Sequence, residues 1–472
     1  MDGHDHRDAE SNMLKILLAA TSVGAFLAPF TSTMLNLSLV AIGDEFSIGS
    51  HSLGMVNTIF LLASVMAMVP ITKVADKFGL KNVFLVGIIL MLVSLFVAAF
   101  TPSFQIFLLS RVAMGVGSAC LAVTSVTMIV NTFPAGRRGW AIGVNATAVY
   151  VGTALGPTVG GFVTDFLGWR YLFFILIPVS LASVIIMGRV VDDVPYDRGL
   201  RIDYKGSAIY MAMIFALVYG MINLPYMWAF ASIAVGGALF LLFRWYVNRV
   251  EEPIMNTGIY GNKAFRRTVI ATFMNYAASY SVSFFLALYL LKIGALTAWQ
   301  SGMIMLLQPM IQILLTAKAG SLSDRMDIRV LPTIGMGIIS FAVLLIIFLG
   351  TEVHLWYVVT ILFLLGLGYG LFSAPNTSAA MSAVGFRERN IASGSISMMR
   401  QIGMTVSMGV AMCCISVILG STDNITPDTF GDFITVMRVA FTVCFVMCVM
   451  GTLFSWFSGA RRPDGIEVVE SN

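Results

Sequence analysis

The sequence predicts an all-α, polytopic membrane protein with fourteen transmembrane helices. Hydrophobic residues make up 58% of the 472-residue chain and charged residues only 11%, a composition that excludes an ordinary soluble domain. Apolar stretches of about 20 residues, the length that crosses a bilayer as a helix, recur from Leu14 to Ser458. The mean hydropathy of +0.89 agrees with this class.

The spans follow one another with short connections. We place them near residues 14–40, 51–72, 82–100, 103–130, 137–163, 168–190, 204–222, 228–247, 265–291, 299–317, 330–350, 354–374, 391–419 and 434–458. The sequence therefore predicts five parts: a solvated cytoplasmic N-terminal tail (1–13), a six-helix bundle (14–190), a cytoplasmic linker with an inserted two-helix hairpin (191–263), a second six-helix bundle (264–458) and a cytoplasmic C-terminal tail (459–472).

Lysine and arginine are distributed unevenly between the segments that join the spans. If the N-terminus is placed inside, only Arg170 and Lys292 of the 28 basic residues fall in outer segments, while Arg111, Arg400 and Arg438 fall within spans. All the others lie in inner segments, as the positive-inside rule describes for cytoplasmic loops. An odd number of spans would scramble this asymmetry. The pattern therefore supports fourteen spans and predicts that both termini are cytoplasmic.

Two short inner loops carry the same acid-then-base pattern, one after span 2 and one after span 10. Their matching positions indicate an internal repeat, in which spans 1–6 and 9–14 form equivalent halves. We interpret the two acids as gate residues that pair with helix ends in one conformation and release them in another. A static surface salt bridge is the alternative. The residues of the two loops are Asp76, Lys77, Gly79, Lys81, Asp324 and Arg325.

Span 5 carries a run of glycines at helical spacing. Gly152, Gly156 and Gly160 recur every four residues and line one face of a helix, and Gly161 follows directly. That face has no side chains, so a neighbouring backbone can approach it closely. Pro157 removes one backbone donor and is expected to bend the helix. Span 5 is therefore predicted to make close helix contacts.

These motifs resemble those of the major facilitator superfamily, and in particular its fourteen-helix drug:proton antiporter family. The run from Gly152 to Gly161 resembles the family's antiporter signature. The segment from Asp76 to Lys81 resembles its loop motif, and the segment from Leu108 to Gly117, which contains Arg111, resembles its fourth-helix motif. The resemblance covers nearly the whole chain and implies the major facilitator fold, with two pseudo-symmetric six-helix bundles and two inserted helices.

The resemblance also implies a function, with one departure in the first span. It implies a secondary transporter that exports lipophilic or amphiphilic small molecules in exchange for protons by alternating access. We expect a monomer in the plasma membrane that needs no ATP and no cofactor. The segment from Thr31 to Leu37 resembles the helix-one motif and keeps its asparagine as Asn36. Many drug exporters have an aspartate where this chain has Thr31, so the departure bears on the proton site.

Ionisable and polar residues within the spans are the candidates for a binding site. No span has an acid near its middle, and the charges expected to face the bundle interior are Arg111 and Arg400; an unpaired charge at the bilayer centre costs a few kcal/mol or more. By analogy with the superfamily, uncharged polar residues complete a moderately polar cavity. Each of them alone is more often an interhelical hydrogen bond than a ligand contact, and either arginine can instead be a structural brace. The uncharged candidates are Thr31, Asn36, Asn57, Asn145, Asn275, Tyr276, Tyr280, Gln308 and Gln312.

Three other functions remain as alternatives to proton-driven export. The first is a carrier of an anionic or neutral metabolite or lipid on the same fold, with Arg111 as the counter-charge, and the missing mid-span acid favours it. The second is a receptor that does not transport. An enzyme fits least, because no span presents a nucleophile–base pair. The sequence also lacks a P-loop, the pattern of a metal cluster and any sign of a nucleic-acid partner.

Overall fold

The computed structural model describes residues 2–190, 202–224, 226–250, 258–323, 326–327, 329–385, 389–420 and 425–457. Within these ranges the chain is helical and contains no strand. Fourteen helical segments of the described chain are long and apolar enough to cross a membrane. The predicted fold class and number of spans are confirmed.

The helices divide into two sets of six spans and an inserted pair. The first set comprises α1 (Asp2–Thr33), α2 (Leu39–Phe46, a short helix after span 1), α3 (Ser50–Phe78), α4 (Leu80–Phe100), α5 (Phe104–Thr132), α6 (Ala135–Phe166) and α7 (Tyr171–Gly188). The inserted pair is α8 (Tyr204–Ile222) and α9 (Met227–Val247). The second set comprises α10 (Lys263–Ser279), α11 (Ser281–Leu288), α12 (Ala298–Met305), α13 (Leu307–Ser323), α14 (Val330–Ile347), α15 (Leu355–Ser382), α16 (Arg389–Ile418) and α17 (Phe430–Trp456).

The inserted pair lies beside the boundary between the two bundles. Helix α8 packs against α3 of the first bundle and α16 of the second, and α9 packs on α8. The Tyr210 hydroxyl donates to the Val65 carbonyl of α3 at 3.1 Å. Asp203 accepts from the Gly206 amide and from the Tyr246 hydroxyl, each at 2.8 Å, so this one carboxylate caps α8 and joins it to α9.

Two helices extend beyond the spans predicted from the sequence. The polar segment predicted as a solvated tail is helical from Asp2 and runs without interruption into the first span. Span 2 continues to Phe78, so Asp76 and Lys77 lie on its last turn and not in a loop. Gly79 alone makes the turn into α4, with a φ of 92° that favours glycine. The linker at 191–201 and the pair Asp324–Arg325 lie outside the described residues.

Three spans contain breaks. Span 1 changes from α-helix to a 3-10 turn at Met34–Leu37. Span 9 contains a junction at Tyr280, between α10 and α11, and ends in a π-helical turn. Span 10 is interrupted at Leu306, because Pro309 lacks an amide proton and its ring would clash with the Met305 carbonyl in a continuous helix.

The interior of each bundle is filled by fully buried aromatic rings. In the first bundle these include Phe84, Phe107 and Phe173, and in the second Phe285 and Phe441. Large apolar side chains also cover the outside, which suits a surface in contact with lipid rather than water. Polar side chains from both halves meet at the boundary between the two bundles.

Candidate functional site

Helix α6 uses its glycines to contact span 1 backbone to backbone. A Cβ added at Gly152 would lie 2.5 Å from the Phe26 carbonyl oxygen, and one at Gly160 would lie 3.0 Å from the Met34 carbonyl carbon. Gly156 faces Thr33 equally closely. These three glycines therefore hold α6 against its own half, as the predicted small-residue face requires.

Gly161 and its neighbours face the other half of the molecule. A Cβ at Gly161 would overlap the Ala298 carbonyl of α12, and one at Gly302 would lie 2.9 Å from the Pro157 carbonyl oxygen. The Thr158 hydroxyl donates to the Gly302 carbonyl at 3.2 Å. The two half-bundles thus meet along α6 and α12 with little space for a side chain. We call this contact the α6–α12 seam.

Asp165 completes the seam at one end of the bundle. Its carboxylate accepts from the Trp299 amide at 2.7 Å, on the first turn of α12, where a negative charge is favoured by the helix dipole. The Trp299 ring packs edge-on against Phe162 at 5.2 Å. On the opposite side of the boundary, α3 contacts α16, where a Cβ at Gly54 would meet the Met412 side chain. The halves are closed at this end, which we call the Asp165 end.

Arg111 is a fully buried residue of α5 that braces two neighbouring helices. Its Nε donates to the Val56 carbonyl at 3.2 Å and its Nη1 to the Thr31 carbonyl at 3.3 Å. The guanidinium also lies 4.5 Å from the centre of the Phe60 ring. Nη2 and the buried Thr31 hydroxyl have no partner among the described residues. Backbone carbonyls and a ring face thus offset most of this charge.

Asn36 and Asn57 lie beside this arginine. The Asn57 amide donates to the Asn36 side-chain carbonyl at 2.7 Å, and both residues are buried. Asn57 follows Val56, whose carbonyl binds Arg111. The structure therefore brings together four predicted site residues from α1, its 3-10 turn, α3 and α5.

Tyr280 connects that group to the second half. Its hydroxyl lies 2.5 Å from the Ser32 hydroxyl and within electrostatic reach of Arg111. Tyr280 stands at the junction between α10 and α11, and its partner Ser32 lies just before the break in span 1. Sequence reasoning did not single out Ser32, because a serine in an apolar helix gives no distinctive pattern.

Arg400 of α16 lies at the centre of a second group of polar side chains at the boundary. Its Nη2 donates to the Ser397 hydroxyl at 3.4 Å, and its guanidinium lies 5.8 Å from the centre of the Tyr276 ring. Tyr150 of α6 lies within electrostatic reach of both Arg400 and Tyr276 and beside Ser373 of α15. The sequence predicted Arg400 and Tyr276 as site residues but missed Tyr150 and Ser373. Four helices from both halves meet around this arginine.

The remaining polar candidates lie apart from these two groups. Asn275 is buried and donates to the Met336 sulfur of α14 at 3.2 Å, a contact within the second half. Asn145 is buried on α6, and its side-chain nitrogen has no described partner. Gln308 and Gln312 are half buried on α13, whose backbone packs against glycines of α15.

The residues predicted to form a gate stand at the other end of the bundle. Successive spans alternate in direction, so the end of α3 lies opposite the Asp165 end. Asp76 is exposed there and has no hydrogen bond or ion pair with another described side chain. Lys81 donates to the Val190 carbonyl at 2.6 Å, which connects the start of α4 to the end of α7.

An acidic residue outside the spans holds the connections of the first half at the Asp165 end. Glu45 accepts hydrogen bonds from the Arg170 guanidinium and, at 2.7 Å, from the Trp169 ring nitrogen. Arg170 also donates to the Thr101 carbonyl at 2.9 Å. Partial burial raises the pKa of Glu45, but the two hydrogen bonds and the Arg170 charge outweigh it, and the pKa lies below its ordinary value.

Comparisons with known proteins agree with this architecture. The chain is 25% identical over 370 residues to the riboflavin transporter RibZ of Clostridioides difficile (strain 630), covering 78% of this chain and 81% of that protein. It is 26% identical over 404 residues to the multidrug resistance protein Stp of Mycobacterium tuberculosis (strain CDC 1551 / Oshkosh), covering 84% and 74%.

A solved structure and a family profile also match most of the chain. The structure is that of a bacterial homologue of the human lysosomal transporter Spinster, with a TM-score of 0.65 and 15% identity over 94% of this chain and 97% of that one. The profile of the Major Facilitator Superfamily matches residues 21–408. With twelve spans in two bundles, an inserted pair, and a boundary lined from both sides, this chain belongs to the Major Facilitator Superfamily of membrane transporters.

Proposed function

We propose that this protein is a secondary active transporter that exports lipophilic or amphiphilic small molecules in exchange for protons, by alternating access. The observation that carries the proposal is the α6–α12 seam. The contacts described between the halves extend from mid-bundle to the Asp165 end, and Gly161 and Gly302 bring the backbones of α6 and α12 close together. A boundary held by glycine contacts and a few hydrogen bonds can separate at low cost, which alternating access requires.

The orientation in the membrane follows from the charges. The positive-inside rule assigns the Asp76 end and both termini to the cytoplasm, so the seam closes the path on the outer side. The two halves at 14–190 and 264–458 would then move against each other, with the segment at 191–263 as a cytoplasmic linker and hairpin. Asp76 and its repeat Asp324 would bias the inner gate. The similarity to bacterial transporters supports the plasma membrane as the location, and we propose a monomer.

The residues of the first span bear directly on proton coupling. The Thr31 hydroxyl and Arg111 Nη2 both lack a described partner, and the Thr31 carbonyl already accepts from Arg111. A carboxylate introduced by Thr31→Asp would lie close to that guanidinium and would be able to exchange a proton. We expect Thr31→Asp to increase either the dependence of transport on the pH gradient or the transport of lipophilic cations.

The test is transport by the purified protein in proteoliposomes at two imposed pH gradients. Cationic, neutral and anionic amphiphiles are measured side by side, with Gly156→Leu as the inactive control, because its side chain would separate α6 from span 1. Transport that grows with the gradient and is absent from the control supports the proposal. Transport of no amphiphile at either gradient would exclude it.

A carrier of an anionic or neutral metabolite on the same fold is the second candidate. The observation that favours it is the absence of any acid near the middle of a span, together with the similarity to a protein named as a riboflavin transporter. Facilitated movement of such a metabolite with no response to the imposed pH gradient would distinguish this candidate from proton-driven export.

A further inference from the structure

Arg400 is the arginine inside the bundle whose donors are least used. Arg111 donates to two backbone carbonyls and covers a ring. Arg400 is only half buried, and within the described chain its one hydrogen bond is the contact to Ser397 at 3.4 Å, which is long for this type of bond. A guanidinium carries five N–H donors. Most donors of Arg400 are therefore available to a ligand.

Side chains from both halves of the molecule lie around Arg400. Tyr276 of α10 and Ser373 of α15 belong to the same half as Arg400, whereas Tyr150 belongs to α6 of the other half. Ser373 is 8% exposed, and its hydroxyl lies beside the hydroxyl of Tyr150, so side chains from the two halves meet here. A molecule bound at this place would contact both halves at once, so its binding would respond to their relative movement.

Among the residues that the structure describes, no acid forms an ion pair with Arg400. All 24 aspartates and glutamates lie in terminal segments, in connections or near the ends of spans. An unpaired charge within the membrane costs several kcal/mol, and a guanidinium remains protonated in proteins. The positive charge of Arg400 therefore favours occupation of the site by an anion.

We propose that Arg400 binds the carboxylate of an amphiphilic organic anion, with the rings of Tyr150 and Tyr276 against its apolar body. The planar guanidinium matches the two oxygens of a carboxylate, which a lysine ammonium does not. Tyrosine rings add a large apolar contact surface and hydroxyls that can donate to the same group. This inference rests on the proposed function and deepens it by naming the charge class of the substrate.

The test measures binding, which needs no ion gradient. The full-length protein in lipid nanodiscs is titrated with three probes that share a naphthalene ring: 2-naphthoate, 2-naphthamide and 2-naphthylmethylammonium. We expect naphthoate to bind at least about tenfold more tightly than naphthamide, or about 1.4 kcal/mol, with the cation weakest. Arg400→Gln should abolish this preference and Arg400→Lys should keep part of it. Arg438→Gln is the matched control, because Arg438 lies in a span but is exposed on α17.

Two results would overturn the Arg400 site. One is equal binding of naphthoate and naphthamide by the parent protein, or no binding of naphthoate. The other is a preference for naphthoate that survives in Arg400→Gln. If Arg400→Gln does not fold, the ranking of the probes by the parent and the partial loss in Arg400→Lys decide the question. If the probes bind as expected but nothing is transported in proteoliposomes, export is refuted and the Arg400 anion site is retained. If amphiphiles are transported but the probes bind without a charge preference, the Arg400 site is refuted and export is retained.

Discussion

Gly161→Ala should shift the protein away from the conformation that is closed at the Asp165 end. A Cβ at position 161 would lie 2.7 Å from the Ala298 carbonyl carbon, whereas non-bonded carbon atoms prefer about 3.5–4.0 Å. The two backbones must therefore separate by roughly 1 Å. Because Ala298 belongs to the other half, the overlap penalises only conformations in which the halves meet at the seam.

The size of the shift follows from two opposing terms. Overpacking a tight contact costs about 1–3 kcal/mol. Alanine also stabilises a helix by up to about 1 kcal/mol over glycine, but α6 is helical in both conformations, so this gain cancels between them. The equilibrium between the two states should move by about 1–3 kcal/mol, a factor of about 5–150.

Distances between spin labels on Leu167 and Trp356 would measure this shift. Both side chains are exposed, one in each half, near the Asp165 end. With the native cysteines replaced by serine, Gly161→Ala should add a population with longer distances. Gly143→Ala is the matched control, because Gly143 lies on the same helix with no atom within 4 Å of an added Cβ. A distance distribution identical to the parent's in Gly161→Ala would refute the seam as a state-specific contact.

Three further changes test other parts of the structure. Arg111→Ala should abolish transport and lower the melting temperature, and Arg111→Lys should restore only part of either, because lysine lacks the planar fork; normal transport by the alanine variant would contradict this role. Glu45 has a lowered pKa, so its bonds contribute stability above its unfolded pKa and lose it as the pH falls through the folded one. Thermal melting of the parent should therefore decline more steeply in acid than that of Glu45→Gln, and parallel curves would show no contribution. Asp76→Asn should slow turnover more than it weakens substrate binding, since a gate biases the conformational equilibrium; equal turnover would make Asp76 an ordinary surface residue.

The fold was predictable because the membrane imposes strong constraints on sequence. Each span must be apolar over its whole length, and basic residues must collect on one side, so span number and class follow from composition and charge. The breaks follow different rules. Pro309 signals the interruption at Leu306, but the 3-10 turn at Met34–Leu37 contains no proline or glycine and depends on packing against α6.

The site was partly predictable for a related reason. An asparagine or arginine within a span is stabilised by a partner on a neighbouring helix, and Asn36, Asn57 and Arg111 come together in this way. Serine gives no such signal, because its hydroxyl can bond to its own helix, and Ser32 was therefore missed. Asn275 finds its partner in Met336, and no sequence pattern distinguishes such a packing contact from a cavity position.

The two arginines within the bundle show how the same charge can serve structure in one place and binding in another. Arg111 is fully buried, and helices α1 and α3 supply carbonyls for its guanidinium. An acid at position 31 would give it a direct counter-charge, but Thr31 is uncharged, so backbone carbonyls offset the charge instead. Arg400 is surrounded by residues of both halves, and it donates one long hydrogen bond, to the Ser397 hydroxyl. Within the described part of the chain, no acid forms an ion pair with Arg400. Its counter-charge must then arrive with the molecule that binds, which couples occupancy of the boundary to the charge of the substrate.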